Sequence, residues 1–194
     1  MSKQSGHSLI ELLIVLAIIG LCLGIGLPSF GTMQRRAALR VAAGELRAIF
    51  HLTRKRAILR GEKSGVKFFL DDGEWKYAVY DDGDGDGVRS DDINRGTDPR
   101  VTEPRRALRE TDAAVIGLLP RRVNAPDGTW LTLQRSPVQF GRSTICSFSP
   151  VGESSPGTIY LTSGQELFAV RVYGRSAKIR TLRYEEAERK WVSQ

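Results

Sequence analysis

The sequence contains few of the groups that enzymes and metalloproteins use. Its 194 residues include two cysteines, Cys22 and Cys146, and two histidines, His7 and His51. Neither cysteine lies in a C-x-x-C or histidine-rich context, so a disulfide framework and a zinc site are not supported. The chain also lacks a Walker loop, a G-x-S-x-G motif and an H-E-x-x-H motif. We therefore expect a protein that is not an enzyme.

Charged side chains are scarce in one segment. Between Leu9 and Leu27 the only one is Glu11, whereas the whole chain has 29 Lys and Arg against 22 Asp and Glu, a net charge of +7. About 20 helical residues span a hydrocarbon core of roughly 30 Å, so this run predicts one membrane helix. A cleavable signal peptide is the alternative, and the length of the run and its internal acid weigh against it. A carboxylate in a bilayer costs about 2.5 kcal/mol or more without a partner, so Glu11 requires one.

The residues around Glu11 resemble the class III signal of type IV pilins and of the pseudopilins of type II secretion. The similarity lies in Ser5 to Gly20, SGHSLIELLIVLAIIG. It implies that prepilin peptidase cleaves after Gly6 and that the new N-terminus, His7, is N-methylated; the family usually has Phe there. Pilins keep a Glu as the fifth mature residue, which is Glu11, and it pairs with the N-terminal amine of a neighbouring subunit in the filament. Pro28 matches a proline near the outer membrane boundary and predicts a bend in the helix.

Beyond Pro28 the helical pattern continues. Apolar or small side chains recur at three- and four-residue steps, which predicts one buried face. They are Leu39, Ala42, Ala43, Leu46, Ile49, Phe50, Thr53, Ala57 and Ile58. The opposite positions are rich in arginine, which we interpret as a solvated face, and Gly61 is placed to end the helix.

The rest of the chain has the pattern of β-strands. Gly65 to Leu70 and Glu74 to Tyr80 flank the turn Asp71-Asp72-Gly73, as in a hairpin. Further strands are predicted at 113–118, 129–134, 138–140, 144–148, 158–162, 167–173 and 177–183. Because no amphipathic helices separate these strands, the sheets should be antiparallel. The predicted fold class is α+β, with a long N-terminal membrane-spanning helix packed on a C-terminal antiparallel head.

Several C-terminal segments resemble successive parts of the GspH/FimT family. They are Ser136 to Gly141, Cys146 to Pro150, Ser155 to Leu161 and Phe168 to Val172. The resemblance implies a minor pilin or pseudopilin, anchored once in the inner membrane, with its head in the periplasm or on a surface filament. Its partners would be other pilins and prepilin peptidase. The expected organisation is a leader (1–6), a transmembrane and filament helix (7–28), an amphipathic continuation (29–61) and a β-rich head (62–194).

One acidic loop is a candidate calcium site. Asp82, Asp84 and Asp86 reproduce the D-x-D-x-D-G opening of an EF-hand loop, and Asp92 lies near its end. The closing position, where a bidentate Glu belongs, is Ile93. The alternative is an Asp/Gly-rich turn kept solvated by its own charge. Calcium is the one cofactor that the sequence suggests.

A basic run near the C-terminus is a candidate DNA-binding surface. The run comprises Arg171, Arg175, Lys178, Arg180 and Arg183, and the last four are the candidate DNA-binding residues. Strand alternation would place Lys178 and Arg180 on one face, where they could neutralise phosphates. Some pilus members of the family bind DNA through a C-terminal Gly-Arg segment, which Gly174-Arg175 resembles. The alternative is a charged edge strand that resists aggregation.

Three functions therefore remain open. The first is a minor pseudopilin of type II secretion, a structural subunit for protein export across the outer membrane. The second is a minor pilin of a type IV pilus that binds DNA without sequence preference during DNA uptake. The third is a single-pass membrane protein with an unrelated periplasmic β domain.

Overall fold

The fold is organised around one long helix. The computed structural model describes residues 8–109 and 113–194, and within them the side chains other than those of 22–30. Helix α1 runs from Leu9 to Arg60, which at ~1.5 Å per residue is about 78 Å. Gly61 ends it in the left-handed conformation, φ 71°, and its N–H donates to the carbonyl of Ala57. The helix stop predicted at Gly61 is confirmed.

Two antiparallel sheets pack against the second half of α1. The first has the order β3-β2-β1-β8, and its strands are β1 (Ser64–Asp71), β2 (Glu74–Asp81), β3 (Arg105–Arg106) and β8 (Ile145–Phe148). The second has the order β12-β11-β10-β9-β4. Its strands are β4 (Val115–Ile116), β9 (Gly157–Thr162), β10 (Leu167–Tyr173), β11 (Lys178–Glu185) and β12 (Lys190–Ser193), with β7 (Val138–Gln139) also paired to β9.

Two short elements complete the head. Helix α2 (Ser90–Arg95) follows the acidic loop. Strands β5 (Val123–Asn124) and β6 (Trp130–Leu131) form a separate antiparallel hairpin. This α1 stalk on an antiparallel head confirms the predicted α+β class.

The main core lies between α1 and the two sheets. Phe50 is fully buried at its centre, with ring centroids 5.9 Å from Phe68, 5.9 Å from Phe140 and 6.2 Å from Phe148. Such aromatic pairs contribute about 0.5–1.5 kcal/mol each beyond the area they bury. Phe68 and Phe148 belong to β1 and β8 of the first sheet, and Phe140 directly follows β7, so this side chain joins the helix to the first sheet and to the segment after β7.

A second core lies on the opposite face of the larger sheet, because strand residues alternate between two buried sides. There Tyr160, Leu167, Ala169 and Leu182 pack against the β5–β6 hairpin and its flanks. The larger sheet is therefore covered by α1 on one face and partly covered by the hairpin on the other.

A carboxylate fixes the end of α1 to the first sheet. Arg56 donates to both oxygens of Asp81, with Nε 2.8 Å from Oδ1 and Nη2 2.7 Å from Oδ2. The hydroxyl of Ser64 donates to Oδ1 as well, at 2.8 Å. The hydrogen bonds from Arg56, with help from Ser64 and the charge of Arg60, hold the pKa of Asp81 below its usual value despite burial.

The sequence predictions for α1 were correct for its buried face with one exception. Leu39 through Ala57 of the predicted set are buried, but Ile58 is 51% exposed, because it lies off that face in the last turn. The arginine-rich side is also less uniform than predicted. Arg36 pairs with Glu166, Arg56 pairs with Asp81, and Arg54 donates to the carbonyl of Ala177.

The β-strands were predicted in the right places but with inexact bounds. The strand predicted at 129–134 is reduced to Trp130–Leu131, because the N–H of Arg135 turns back to the carbonyl of Thr132. Helix α2 and strands β3, β5 and β12 were not predicted, since elements this short carry little periodicity.

The membrane helix predicted near the N-terminus stays a prediction. Within the part of the chain that the structure describes, no helix combines the length and apolarity needed to cross a bilayer. The bend predicted at Pro28 also stays a prediction, because the side chains of 22–30 are not described.

The Asp81 cluster generates a stability prediction. Asp81→Asn should lower the free energy of unfolding at pH 7 by about 1.5–3 kcal/mol, the value of hydrogen bonds to a charged group. Because folding lowers the pKa of Asp81, the stabilisation is present above its unfolded pKa near 3.8 and is lost as pH falls through the lower folded value. Urea unfolding from pH 7 to pH 3 should therefore show the two proteins converging at the acid end.

Asp71→Asn is the matched control, since Asp71 is exposed at the end of β1 and pairs with Lys76 of β2. That change should cost less than about 1 kcal/mol. Equal losses for the two variants, or a difference independent of pH, would contradict the role assigned to Asp81.

Candidate functional site

The N-terminal site begins immediately before the described residues. Gly6 and His7, the predicted cleavage and methylation residues, lie outside them. Ser8 is extended, with ψ 142°, and α1 starts at Leu9. Glu11 is the acidic residue of the first turn, where the partial positive charge of a helix N-terminus favours a carboxylate.

The first turns of α1 present apolar side chains to their surroundings. Leu9 is 80% exposed, and the larger apolar residues that follow it to Leu21 are also exposed. A continuous apolar surface of this kind marks a site of contact with another protein or with lipid. Glu11 is the only acid or base within it.

The acidic loop lies between β2 and α2. One carboxylate oxygen each from Asp82, Asp84 and Asp86 comes within 4.8 Å of the others, and among the described residues Asp92 does not join this group. Asp92 is buried in α2, where its carboxylate pairs with Arg95 and its carbonyl accepts from Thr97 and Asp98. The structure therefore brings together three of the four predicted ligands.

Hydrogen bonds and cations already engage these carboxylates. Asp82 accepts from the N–H of Gly85 at 2.8 Å and of Gly87 at 2.9 Å, and lies 3.9 Å from the ammonium of Lys63. Asp86 pairs with Arg89, while the N–H of Asp86 donates to Asp84 and lowers its pKa. Calcium prefers six to eight oxygen ligands, so it would have to displace these cations or add to the exposed side.

Asp98 was missed by sequence reasoning and shapes the loop. It is buried, and its two oxygens accept from the N–H groups of Gly83 and Arg89 at 3.1 and 2.9 Å. A side chain at Gly83 could not be accommodated, since its Cβ would lie 1.9 Å from the carbonyl oxygen of Thr97. The EF-hand closing position, Ile93, packs instead against a small apolar cluster.

The basic run is divided between two faces of the larger sheet. Lys178 and Arg180 are exposed on one face, as predicted, and Arg175 lies exposed in the turn before them. Arg183 lies on the other face of β11 and pairs with Glu185. The structure thus keeps Arg175, Lys178 and Arg180 together and separates Arg183 from them.

Arg171 adds a further cation to the exposed group. It lies directly opposite Arg180 across β10 and β11, and its guanidinium carbon is 5.5 Å from the ring centroid of Tyr173. Like charges placed opposite each other in a sheet repel, so the Arg171–Arg180 pair does not stabilise the sheet. We call Arg171, Arg175, Lys178 and Arg180 the basic face.

Comparison with protein families places this architecture in a class. Residues 1–27 match the prokaryotic N-terminal methylation motif. A long helix α1 that begins within that motif and packs on an antiparallel head defines a pilin-like protein. No curated protein and no solved structure gives a significant match.

The family follows from the head. Residues 42–178 match the type II transport protein GspH, which covers more than half of the chain, and the chain belongs to this family. The resemblance inferred from the sequence is confirmed. Membership in this family excludes the third function considered from the sequence, a membrane protein with an unrelated β domain. Pseudopilins of this family are structural proteins that assemble with other pilins, and the methylation motif implies processing by prepilin peptidase.

The acidic loop generates a calcium prediction. If Asp82, Asp84 and Asp86 bind the ion, calcium at a hundred times its dissociation constant should stabilise the full chain by about 2.7 kcal/mol. Thermal unfolding with millimolar calcium, compared with the same concentration of magnesium, measures the effect. The double change Asp84→Asn and Asp86→Asn should abolish it.

Asp91→Asn is the control, because Asp91 is an exposed acid on the adjacent helix and outside the group of three. A melting temperature that calcium does not change would identify the loop as a solvated turn. So would equal responses from the double variant and the native chain.

Proposed function

We propose that this chain is a minor pseudopilin, a structural subunit of the pseudopilus of type II secretion. Residues 1–6 are the leader that prepilin peptidase removes, and His7 becomes the methylated N-terminus. Residues 7–28 anchor the chain in the inner membrane and later enter the filament. Residues 29–61 continue the helix, and 62–194 form the periplasmic head.

The exposed apolar surface at the start of α1 carries this proposal. An isolated head would gain nothing from a helix whose large side chains from Leu9 to Leu21 have no intramolecular contacts with the core. Burying such side chains contributes about 25 cal/mol per Å² of apolar surface, so the first half of α1 is stabilised by lipid or by neighbouring helices. A subunit that moves from a membrane into a filament is stabilised first by lipid and then by neighbouring helices.

The carboxylate of Glu11 favours the filament over the lipid bilayer as the environment of α1. A carboxylate in hydrocarbon is costly, and pairing with the amine of His7 on a neighbouring subunit would remove much of that cost. Glu11 lies in the first turn of α1 and four residues after His7 in the sequence, so the carboxylate of one subunit would meet the amine of another at a defined axial offset. The same pairing would set the axial register between subunits.

The described side chains support a function without catalysis. Cys146 is buried, and burial raises the pKa of its thiol well above the usual value, so it is a poor nucleophile. His51 lies on the exposed side of α1, where partial burial and the cations Arg47 and Arg54 lower its pKa. We propose that the chain has no enzymatic activity.

Replacement of Glu11 separates insertion from assembly. Glu11→Ala should insert in the inner membrane as well as the native chain, because the segment becomes more apolar, but it should crosslink to other pilin subunits far less. Carbonate extraction measures insertion, and crosslinking in cells measures assembly.

Leu13→Ala is the matched control, since it changes an exposed apolar side chain of the same helix without removing a charge. It should insert like the native chain and lose less crosslinking than Glu11→Ala, because it shortens one of many apolar side chains and keeps the carboxylate. Native crosslinking by Glu11→Ala would overturn the pairing argument.

The basic face favours a second candidate function, a minor pilin of a type IV pilus that binds DNA. Arg171, Arg175, Lys178 and Arg180 form a compact cationic surface, and no carboxylate lies within 4.0 Å of their cationic nitrogens among the described residues. Such a surface would bind phosphates without reading the base sequence. The pseudopilus remains our first choice, because the matching family is that of a type II transport protein.

The salt dependence of binding tests the DNA function. Four phosphate contacts should give a slope of about −3.6 in the logarithm of affinity against the logarithm of salt concentration on duplex DNA. Changing all four residues of the basic face to Gln should flatten this slope. Gel retardation of arbitrary duplexes by the full chain in detergent measures it.

The control carries the same loss of charge elsewhere. It changes Arg40, Arg47, Lys55 and Arg142 to Gln, all of which are exposed and outside the basic face. If both variants lose binding equally, the attraction comes from the net charge of +7 and not from the basic face.

A further inference from the structure

A cleft on the head has no role in the functions described above. It lies between the β5–β6 hairpin and the turn that joins β11 to β12, and its volume is about 440 Å³. This volume falls within the range of ligand pockets, roughly 300–1,000 Å³. Its walls include Arg121, Arg122, Trp130, Tyr184 and Arg189. We call it the hairpin cleft.

The hairpin cleft carries excess positive charge. Arg121 is neutralised by Glu186, with Nη2 2.6 Å from Oε2. Arg122 and Arg189 have no carboxylate within 4.0 Å among the described residues. Two guanidinium groups at one opening are therefore available to an acidic ligand.

An aromatic wall lies beside these cations. The guanidinium carbon of Arg122 is 4.2 Å from the centroid of the Trp130 ring, and Trp130 is still 51% exposed. Stacking on the ring holds the guanidinium plane in place, which leaves its N–H groups at the edge free to donate. Tryptophan and arginine are the residue types that contribute most to binding between proteins.

The cleft is built on a rigid base. The indole N–H of Trp191 donates to the carbonyl of Asn124 at 2.7 Å, which ties β12 to the β5–β6 hairpin. Tyr184 packs on Trp191 with ring centroids 5.4 Å apart. Arg189 is held on the rim by a turn in which its own φ is 49°, a conformation that costs a non-glycine residue free energy.

We propose that the hairpin cleft binds an acidic side chain of a neighbouring subunit, so that this head docks on the filament through a carboxylate. The proposal rests on the proposed function as a filament subunit. A carboxylate can accept two parallel hydrogen bonds from a guanidinium, and the half-exposed indole of Trp130 would pack against the apolar part of the same segment.

The surroundings of the cleft favour a single carboxylate over a polyanion. Glu186 lines the cleft and Glu188 follows in the same turn, so an extended phosphate backbone would meet repulsion there. Binding to a nucleic acid strand requires a continuous cationic track, which the basic face resembles more closely. A peptide with one or two acids can avoid both glutamates.

Titration with short peptides tests the cleft directly. The probe is Gly-Glu-Glu-Gly, acetylated and amidated at its ends, added to the full chain in detergent, with Gly-Gln-Gln-Gly as the neutral counterpart. The indole N–H resonance of Trp130, assigned from its absence in Trp130→Phe, should shift with the first peptide only. Changing Arg122 and Arg189 to Gln should weaken binding by at least about tenfold, since charged hydrogen bonds are lost.

The control is the double change Arg40→Gln and Arg142→Gln, which removes the same charge from exposed positions outside both the cleft and the basic face and should leave binding unchanged. Equal shifts with both peptides, or equal binding by both double variants, would overturn the proposal. Displacement of the peptide by a short single-stranded oligonucleotide at a lower concentration would also overturn it, in favour of a nucleic acid site.

Crosslinking in cells then tests whether the hairpin cleft contacts a neighbouring subunit. A photoreactive residue in place of Ala187, an exposed position in the turn that joins β11 to β12, should crosslink to another pilin subunit when the cleft is intact, and Arg122→Gln with Arg189→Gln should abolish that crosslink. Unchanged crosslinking in the double variant would refute the docking role. The Glu11→Ala experiment reports on incorporation separately, so the cleft can fail while the filament function stands.

Discussion

One face of α1 provides the surface on which the whole head is assembled. Phe50 touches aromatic rings from the first sheet and from the segment that follows β7, and Asp81 fixes the end of the same helix to β1 and β2. Because both sheets depend on this helix, its orientation and that of the head cannot vary independently. Helix α1 is continuous from Leu9 to Arg60, so it links the first turn, which contains Glu11, to the head.

This constraint explains how much of the fold could be predicted from the sequence. The buried face from Leu39 to Ala57 and the β1–β2 hairpin depend on local periodicity and turn chemistry, so they were predicted correctly. Ile58 was assigned to the core because it continues the apolar run, yet it lies about 100° around the helix from Ala57, which is fully buried. An apolar residue next to the buried face can therefore be exposed while the helix still packs on the sheet.

The residues of the candidate sites could also be predicted only in part from the sequence. The acidic loop was found because Asp82, Asp84 and Asp86 are close in sequence, but Asp98, which holds the loop in shape, is separated by α2 and was missed. The basic face was predicted in part, since alternation grouped Lys178 with Arg180, but the same alternation places Arg183 on the opposite face and was not applied to it. The hairpin cleft could not be predicted, because it joins Arg122 and Arg189 only through the packing of β5–β6 on β12.

The intact mass of the chain extracted from membranes tests the central claim that this protein is a processed filament subunit. Cleavage after Gly6 removes six residues and leaves 188, from His7 to Gln194. We predict the mass of that chain with one methyl group added at its N-terminus. An uncut chain, or one whose N-terminus lies beyond Pro28, would contradict the claim, since neither retains a free amine at His7 to pair with Glu11 of a neighbour.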